Sequence, residues 1–213
     1  MTTGILAAGT SGGDSDQVCD LATAQALHAA GVRFLLRYIT RTSPQHTGDL
    51  SISERAAILH ASVAVGYVQH CPLAGWAPSR ARGQAYGIAA ASNLKSIGAS
   101  PGVCVWRDWE GVLPNASSAD SIADINSWNA AVIAGGFVPG IYFGYNGILD
   151  GSDLYWRLTC SHYWKSASTV PVPEIRGWQL VQSFAPSPVV GYDWDRDVVM
   201  QDSLGGLPIW DLP

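Results

Sequence analysis

The sequence predicts an α/β fold, a single TIM-like (β/α) barrel of about eight short parallel strands, and three observations carry that expectation. Apolar residues make up 47% of the chain and charged residues only 14%, a balance that suits secondary structure buried on both faces. Strand-like runs alternate with helical stretches, and the connections reach a dozen residues or more, as parallel neighbours require. Several runs also turn polar abruptly at their ends, where a barrel of this class builds its site. A length of 213 residues suits one core, so residues 1–213 are read as one barrel domain. An open doubly wound sheet is the alternative, weakened by the lack of a G-x-G-x-x-G motif after the first strand.

Residues 4–8 form a short apolar run read as strand one, and residues 9–16 a turn-rich loop. That loop contains a formal G-x-S-x-G match, Gly9 to Gly13, with Ser11 as its nucleophile. A nucleophile elbow follows strands that have already built the sheet, and here it would be the chain's first turn, so an esterase is a weak third reading. Residues 17–30 have helical composition, with Leu21, Ala24, Leu27 and His28 spaced along one side and Gly31 as the stop. Residues 32–39 read as strand two. Its Arg37 either meets an anionic or sugar substrate or forms a buried structural ion pair, since a charge is rarely buried alone.

Ser51 and Glu54 give a capping-box pattern at the head of a helix through His60. Residues 63–70 are strand three, turning polar at Gln69 and His70, and His70 is read either as a site residue or as a solvated loop histidine. Residues 77–98 form a long helix, 103–110 the next strand, 120–134 another helix and 137–144 another strand, with Tyr142 and Tyr145 at or just past its end. Residues 153–160 read as helical, 162–167 and 177–183 as short strands, and 192–199 as a hairpin or closing strand. The remainder is turn-rich.

The net charge of −5 and the absence of a Lys/Arg cluster argue against nucleic acid as a partner. No run reaches transmembrane length and the N-terminus lacks the basic start and apolar core of a signal peptide, so a soluble, unexported protein with no membrane partner is expected. The four cysteines include no CxxC pair; reduced, mostly buried thiols are expected, with no metal and no cofactor. Nine Trp and eight Tyr are many for this length. Such rings fill cores, and their flat faces also stack on sugars. Oligomeric state is left open.

The most chemically loaded stretch is Val-Cys-Val-Trp-Arg-Asp-Trp-Glu, residues 103–110. Alternation along a strand puts Asp108 and Glu110 on one face, with Cα atoms roughly 6 to 7 Å apart. Two carboxyl groups so placed suit glycosidic bond hydrolysis, one as proton donor and the other as nucleophile, base or oxocarbenium stabiliser. Glu110, nearer the pocket mouth, is expected to be the general acid, its pKa raised by Asp108 and nearby rings, while Asp108 stays ionised. A solvated strand-end pair or a cation site is the alternative.

Gly-Val-Arg-Phe-Leu-Leu-Arg-Tyr (31–38), Asp-Trp-Glu (108–110), Gly-Ile-Tyr-Phe-Gly-Tyr (140–145), Trp-Gln (178–179) and Asp195-Arg196-Asp197-Val198 stand in an order that resembles the glycoside-hydrolase-like domain of actinobacterial and phage proteins. That domain is similar to the family 25 muramidases, whose barrels carry a D-x-E pair on strand four. The resemblance covers nearly the whole chain. It implies a catalytic pair at Asp108 and Glu110, a pocket lined by Tyr142, Gln179 and Asp195, and a peptidoglycan-like polysaccharide as substrate; Arg37, His70, Tyr145 and Trp178, read from their own places near strand ends, are further candidate contacts. It leaves the location open between a host cytoplasm and a phage particle. A phage lysin or a non-catalytic carbohydrate-binding or virion module on the same barrel are both consistent with it. The muramidases also place an Asp at the end of strand one, in Gly-Ile-Asp; here Gly4-Ile5 is followed by Leu6, and Asp14 or Asp16 is the candidate substitute.

Overall fold

The structure, a computed structural model, describes residues 2–184 and 188–213. Its first strand, β1 (Thr2–Ile5), lies outside the barrel. The barrel staves are β2 (Ser11–Ser15), β3 (Phe34–Ile39), β4 (Ala64–Gln69), β5 (Cys104–Trp109), β6 (Val138–Phe143), β7 (His162–Lys165), β8 (Leu180–Ser183) and β9 (Asp195–Val199). Neighbours from β2 to β8 pair in parallel, and β9 closes the ring antiparallel to both β8 and β2. The expected barrel is therefore present, with its last stave reversed because β8 and β9 are too close in sequence for a helical crossover.

Helices α1 (Leu21–Ala29), α2 (Ile52–His60), α3 (Arg80–Ser96) and α4 (Ser118–Ala134) follow β2 to β5 in turn. Each starts on a residue whose side chain accepts an N–H three positions on: Asp20, Ser51, Ser79 and Ser117. The Ser51–Glu54 box is only half made, because Glu54 turns inward to Arg37. After β6 the described chain has only a short π-helical turn, Asp153–Arg157. No helix among the described residues is long and apolar enough to cross a membrane.

Alternation sorts the core. Phe34, Leu36, Ala64, Val68, Cys104, Trp106, Trp164, Leu180 and Val199 point into the barrel and form one cluster. Residues of the other parity, such as Leu35, Val65 and Val105, pack against Leu27, Ile58, Leu94 and Trp128 of the helices. The last strand, β10 (Ile209–Leu212), lies in a stretch expected to be turns; it pairs antiparallel with β1 and touches β4 at Val65. That register puts Trp210 at the N-terminal mouth of the barrel, 4.5 Å from the Phe34 ring.

The strand-one expectation needs correction. Residues 4–8 are not a stave, and the Gly/Ser segment read as a loop is β2 itself. Its glycines have a packing cause: a Cβ on Gly12 would lie 2.4 Å from the Phe34 ring. Ser11 begins that strand, at the end of the barrel away from the site, so there is no strand-to-helix elbow and the Ser11 nucleophile falls away.

Candidate active site

The C-terminal ends of the parallel staves surround a cavity of about 420 Å³ whose lining includes Asp14, Tyr38, His70, Asp108 and Asp195. These positions extend each strand's inward parity. Asp14 follows Gly12, Tyr38 follows Phe34 and Leu36, and Asp108 follows Cys104 and Trp106.

One wall carries Asp108 and, one residue beyond β5, Glu110. A carboxylate oxygen of each and the Cys71 sulfur all lie within 4.8 Å of one another. Asp108 is buried, Glu110 half-buried. Burial lifts the Asp108 carboxyl well above the usual carboxylate range, and the charges of Glu110 and Asp14 add to this. Glu110 is raised by burial. The expected causes are thus corrected on two points: burial pushes Asp108 upward as well, and burial, not the charge of Asp108, raises Glu110. The Trp76 indole fixes the Glu110 backbone by donating to its carbonyl at 2.8 Å. Glu110 lies across the Gly144 backbone, where an added Cβ would come within 2.3 Å of Oε2.

The opposite wall carries Asp14 and Asp195, and Asp197 on the same strand as Asp195 is fully buried. Burial raises Asp14 to about 7, the charges of Asp195 and Asp16 add to the rise, and hydrogen bonds from Asp197 and Gln182 oppose it. Asp197, fully buried, is pushed well above the carboxylate range by burial and then by Asp14. The two carboxyls act on each other, their interaction lowering Asp14 and raising Asp197. Asp197 Oδ1 accepts from the Trp164 indole at 2.8 Å. Gln182 Nε2 donates to Asp14 Oδ2 at 2.8 Å and to Asp195 Oδ2 at 3.3 Å, and its Oε1 accepts from the Tyr142 hydroxyl at 2.9 Å. Asp195 is raised by burial.

Asp14 therefore stands on the first barrel stave and lines the cavity, while Asp16 is exposed at the cavity edge. His70 faces the cavity, stacked on Tyr38 at 4.4 Å, with Nε2 2.8 Å from Asp49 Oδ1. Tyr142 reaches the site through Gln182. Tyr145 sits exposed on the rim, its carbonyl accepting from the Gly111 N–H at 2.8 Å.

Three expected contacts lie elsewhere. Arg37 has the outward parity of β3 and is fully buried; its Nε meets Glu54 Oε1 at 2.6 Å and its Nη1 donates to the Ser15 carbonyl, so it is the structural ion pair. Trp178 and Gln179 precede β8 and so sit at the N-terminal end of the barrel, opposite the site. There Gln179 bonds His162 and Asp202, and Trp178 packs outside the barrel. Gln182, at the other end of the same strand, is the amide in the site. Tyr38, Cys71, Gln182 and Asp197 were not singled out from sequence. Asp195-x-Asp197 repeats the i, i+2 spacing of Asp108-x-Glu110, the one signal that pointed there.

Residues 25–200 match the family described as the Rv2525c-like, glycoside hydrolase-like domain. Among solved structures, the Tat-secreted protein Rv2525c of Mycobacterium tuberculosis, in complex with L-tartrate, superposes with a TM-score of 0.67 at 14% identity, covering 90% of this chain and 96% of that one. A bacterial lysozyme from Streptomyces coelicolor gives 0.62 at 17% identity over 91% and 93%. A family 25 glycosyl hydrolase from Bacillus anthracis gives 0.60 at 14% identity over 90% and 89%. At these identities the likeness concerns the fold. No curated protein matches in sequence.

Proposed function

The chain belongs to the Rv2525c-like glycoside hydrolase-like domain family, and on that footing we propose that it is a muramidase-type hydrolase, cleaving a glycosidic bond of peptidoglycan or a related polysaccharide through Asp108 and Glu110. The observation that carries this reading is the approach of the two carboxyl groups, with oxygens within 4.8 Å, beside a cavity that Asp108 lines. Inverting hydrolases hold their carboxyl groups about 6.5–9.5 Å apart to admit a water, and retaining ones about 5–5.5 Å, so the spacing here favours retention of configuration.

Two acids this close, both raised by their surroundings, enter the reaction holding one proton between them. Glu110, the half-exposed member, delivers that proton to the glycosidic oxygen as the bond breaks. Asp108, left anionic beneath the sugar, opposes the developing oxocarbenium charge, and water then takes up the glycosyl group as Glu110 recovers a proton. Asp14, Asp195 and Gln182 on the facing wall offer acceptors and an amide to sugar hydroxyls and N-acyl groups. The placement of Asp14 on the first barrel stave, facing the cavity, supports turnover over a binding shell.

Glu110→Gln keeps the shape and removes the proton. It is expected to cut clearing of cell-wall suspensions by roughly 10²–10⁴-fold with an unchanged unfolding transition. Glycan binding with no reducing ends released by the unaltered protein would instead identify a non-catalytic carbohydrate-binding module.

A further inference from the structure

Cys71 stands directly after β4, and the hydrolytic reading gives it no task. Its sulfur, one Asp108 oxygen and one Glu110 oxygen are mutually within 4.8 Å. A second feature of the same place is independent of that clustering: Asp108 Oδ1 is buried with no hydrogen-bond partner, although the residue is 94% shielded from solvent at 6% exposure. A buried carboxylate oxygen left without a donor is costly, and a bound ligand commonly explains it.

We propose that Cys71, Asp108 and Glu110 form a binding site for a thiophilic divalent cation, Zn²⁺ in the first instance. The donor set is one thiolate and two carboxylates, which selects zinc over magnesium or calcium because hard cations do not recruit sulfur. With bonds of about 2.0–2.3 Å, tetrahedral donors lie roughly 3.3–3.8 Å apart, so atoms within 4.8 Å of one another need contract by at most about 1.0–1.5 Å. The fourth position opens to the cavity, where water or a sugar hydroxyl completes the shell. The wall opposite, with Asp14 and Asp195, adds negative potential that concentrates cations. Binding releases the thiol proton and the proton held by the acid pair to solvent; three monoanionic donors and Zn²⁺ leave the centre at a net charge of −1. The other three cysteines, Cys19, Cys104 and Cys160, are buried apart from this cluster.

A consequence for catalysis rests on the hydrolase reading: a cation on Glu110 and Asp108 removes the proton donor and the stabilising anion together, so zinc silences the site. Metal binding itself is independent of that reading and is measured without glycan.

The test uses the full chain, stripped with chelator and titrated with Co²⁺ and Zn²⁺. Co²⁺ is expected to bind one per chain with a near-ultraviolet sulfur-to-metal charge-transfer band, displaced by Zn²⁺. Cys71→Ser should abolish that band and weaken Zn²⁺ binding at least 10-fold, and Asp108→Asn should weaken it comparably with the band retained in residual complex. The absence of saturable binding in the unaltered protein, or a charge-transfer band that survives Cys71→Ser, overturns the proposal. Wall clearing run in parallel separates the two readings. Clearing in chelator that Zn²⁺ does not inhibit counts against the metal site alone, and a charge-transfer band in a protein that never clears walls counts against the hydrolase alone.

Discussion

Two sets of buried carboxylates divide this barrel. In the helix layer and at the N-terminal end, each acid has an arginine: Glu54 with Arg37 at 2.6 Å, Asp211 with Arg55 at 2.8 Å, Asp124 with Arg107 at 2.7 Å and Asp202 with Arg176 at 2.7 Å. At the C-terminal end Asp14, Asp108 and Asp197 are as deeply buried, and among the described residues none has a salt bridge. Their partners are each other, an amide, an indole and a thiol. Residue type and burial are the same in both sets; the cation differs. Where it is present the charge is neutralised and the acid fastens elements together. Where it is missing, burial and like charge favour the protonated carboxyl, the condition that acid catalysis needs and against which a bound cation must compete.

The largest effect expected from this contrast is on stability. Asp211 accepts from Arg55 and from the Tyr67 hydroxyl, tying β10 to α2 and β4. Asp211→Ala leaves a buried guanidinium without its anion and is expected to cost about 3–5 kcal/mol in denaturant unfolding. The folded fraction should keep its wall-clearing rate. A loss under about 1 kcal/mol would mean that the paired acids are not the fastenings described.

The division was only partly legible in the sequence. The alternation of 103–110 placed Asp108 and Glu110 on one inward face, and the D-x-E pattern with its flanking order led to the right family. β2 was hidden because Ser-Gly-Gly-Asp-Ser has the composition of a turn; its small residues answer to Phe34, 22 positions later in the chain, which local pattern does not report. Gln179 and Gln182 are both amides of one short strand, and only the direction of β8 in the closed barrel decides that Gln182 meets the acids. Arg37 had two open roles until Glu54 was seen against it. Cys71 has no motif, and its place beside Asp108 follows from the pairing of β4 with β5.

The next effect, in size, is the pH dependence of folding. Asp14 has a folded-state pKa of about 7 against an ordinary 3.8, so its contribution is fully present below about pH 4 and is lost as pH rises through about 7. Asp108 and Asp197 are shifted in the same direction. Asp202 behaves oppositely. Burial would raise it, but the Gly206 N–H and Arg176 outweigh burial and hold it low, so its contribution is lost as pH falls. Unfolding free energy is therefore expected to peak on the acid side of neutrality and to fall by roughly 2–4 kcal/mol between pH 5 and pH 8. A flat profile over that range would show that the unpaired acids are solvated, and would erase the distinction between the two sets.

The sharpest probe, and the smallest in energy, is Asp197→Asn. An asparagine there is a permanent copy of the protonated carboxyl: its amide donates to Asp14, and its oxygen still accepts from the Trp164 indole that now meets Oδ1 at 2.8 Å. Nothing in the packing changes, because the two side chains have nearly the same shape. What disappears is the ionisation of Asp197 itself, which burial pushes well above the usual carboxylate range. Stability below about pH 4 should be almost unaltered, while stability at pH 8 should rise, shrinking the slope predicted above. The same substitution in an arginine-paired acid, Asp124→Asn, should destabilise at both pH values, because there the charge itself holds Arg107. If the two asparagine variants respond alike, burial does not hold Asp197 above the carboxylate range, and the acids of the site differ from those of the scaffold in position only.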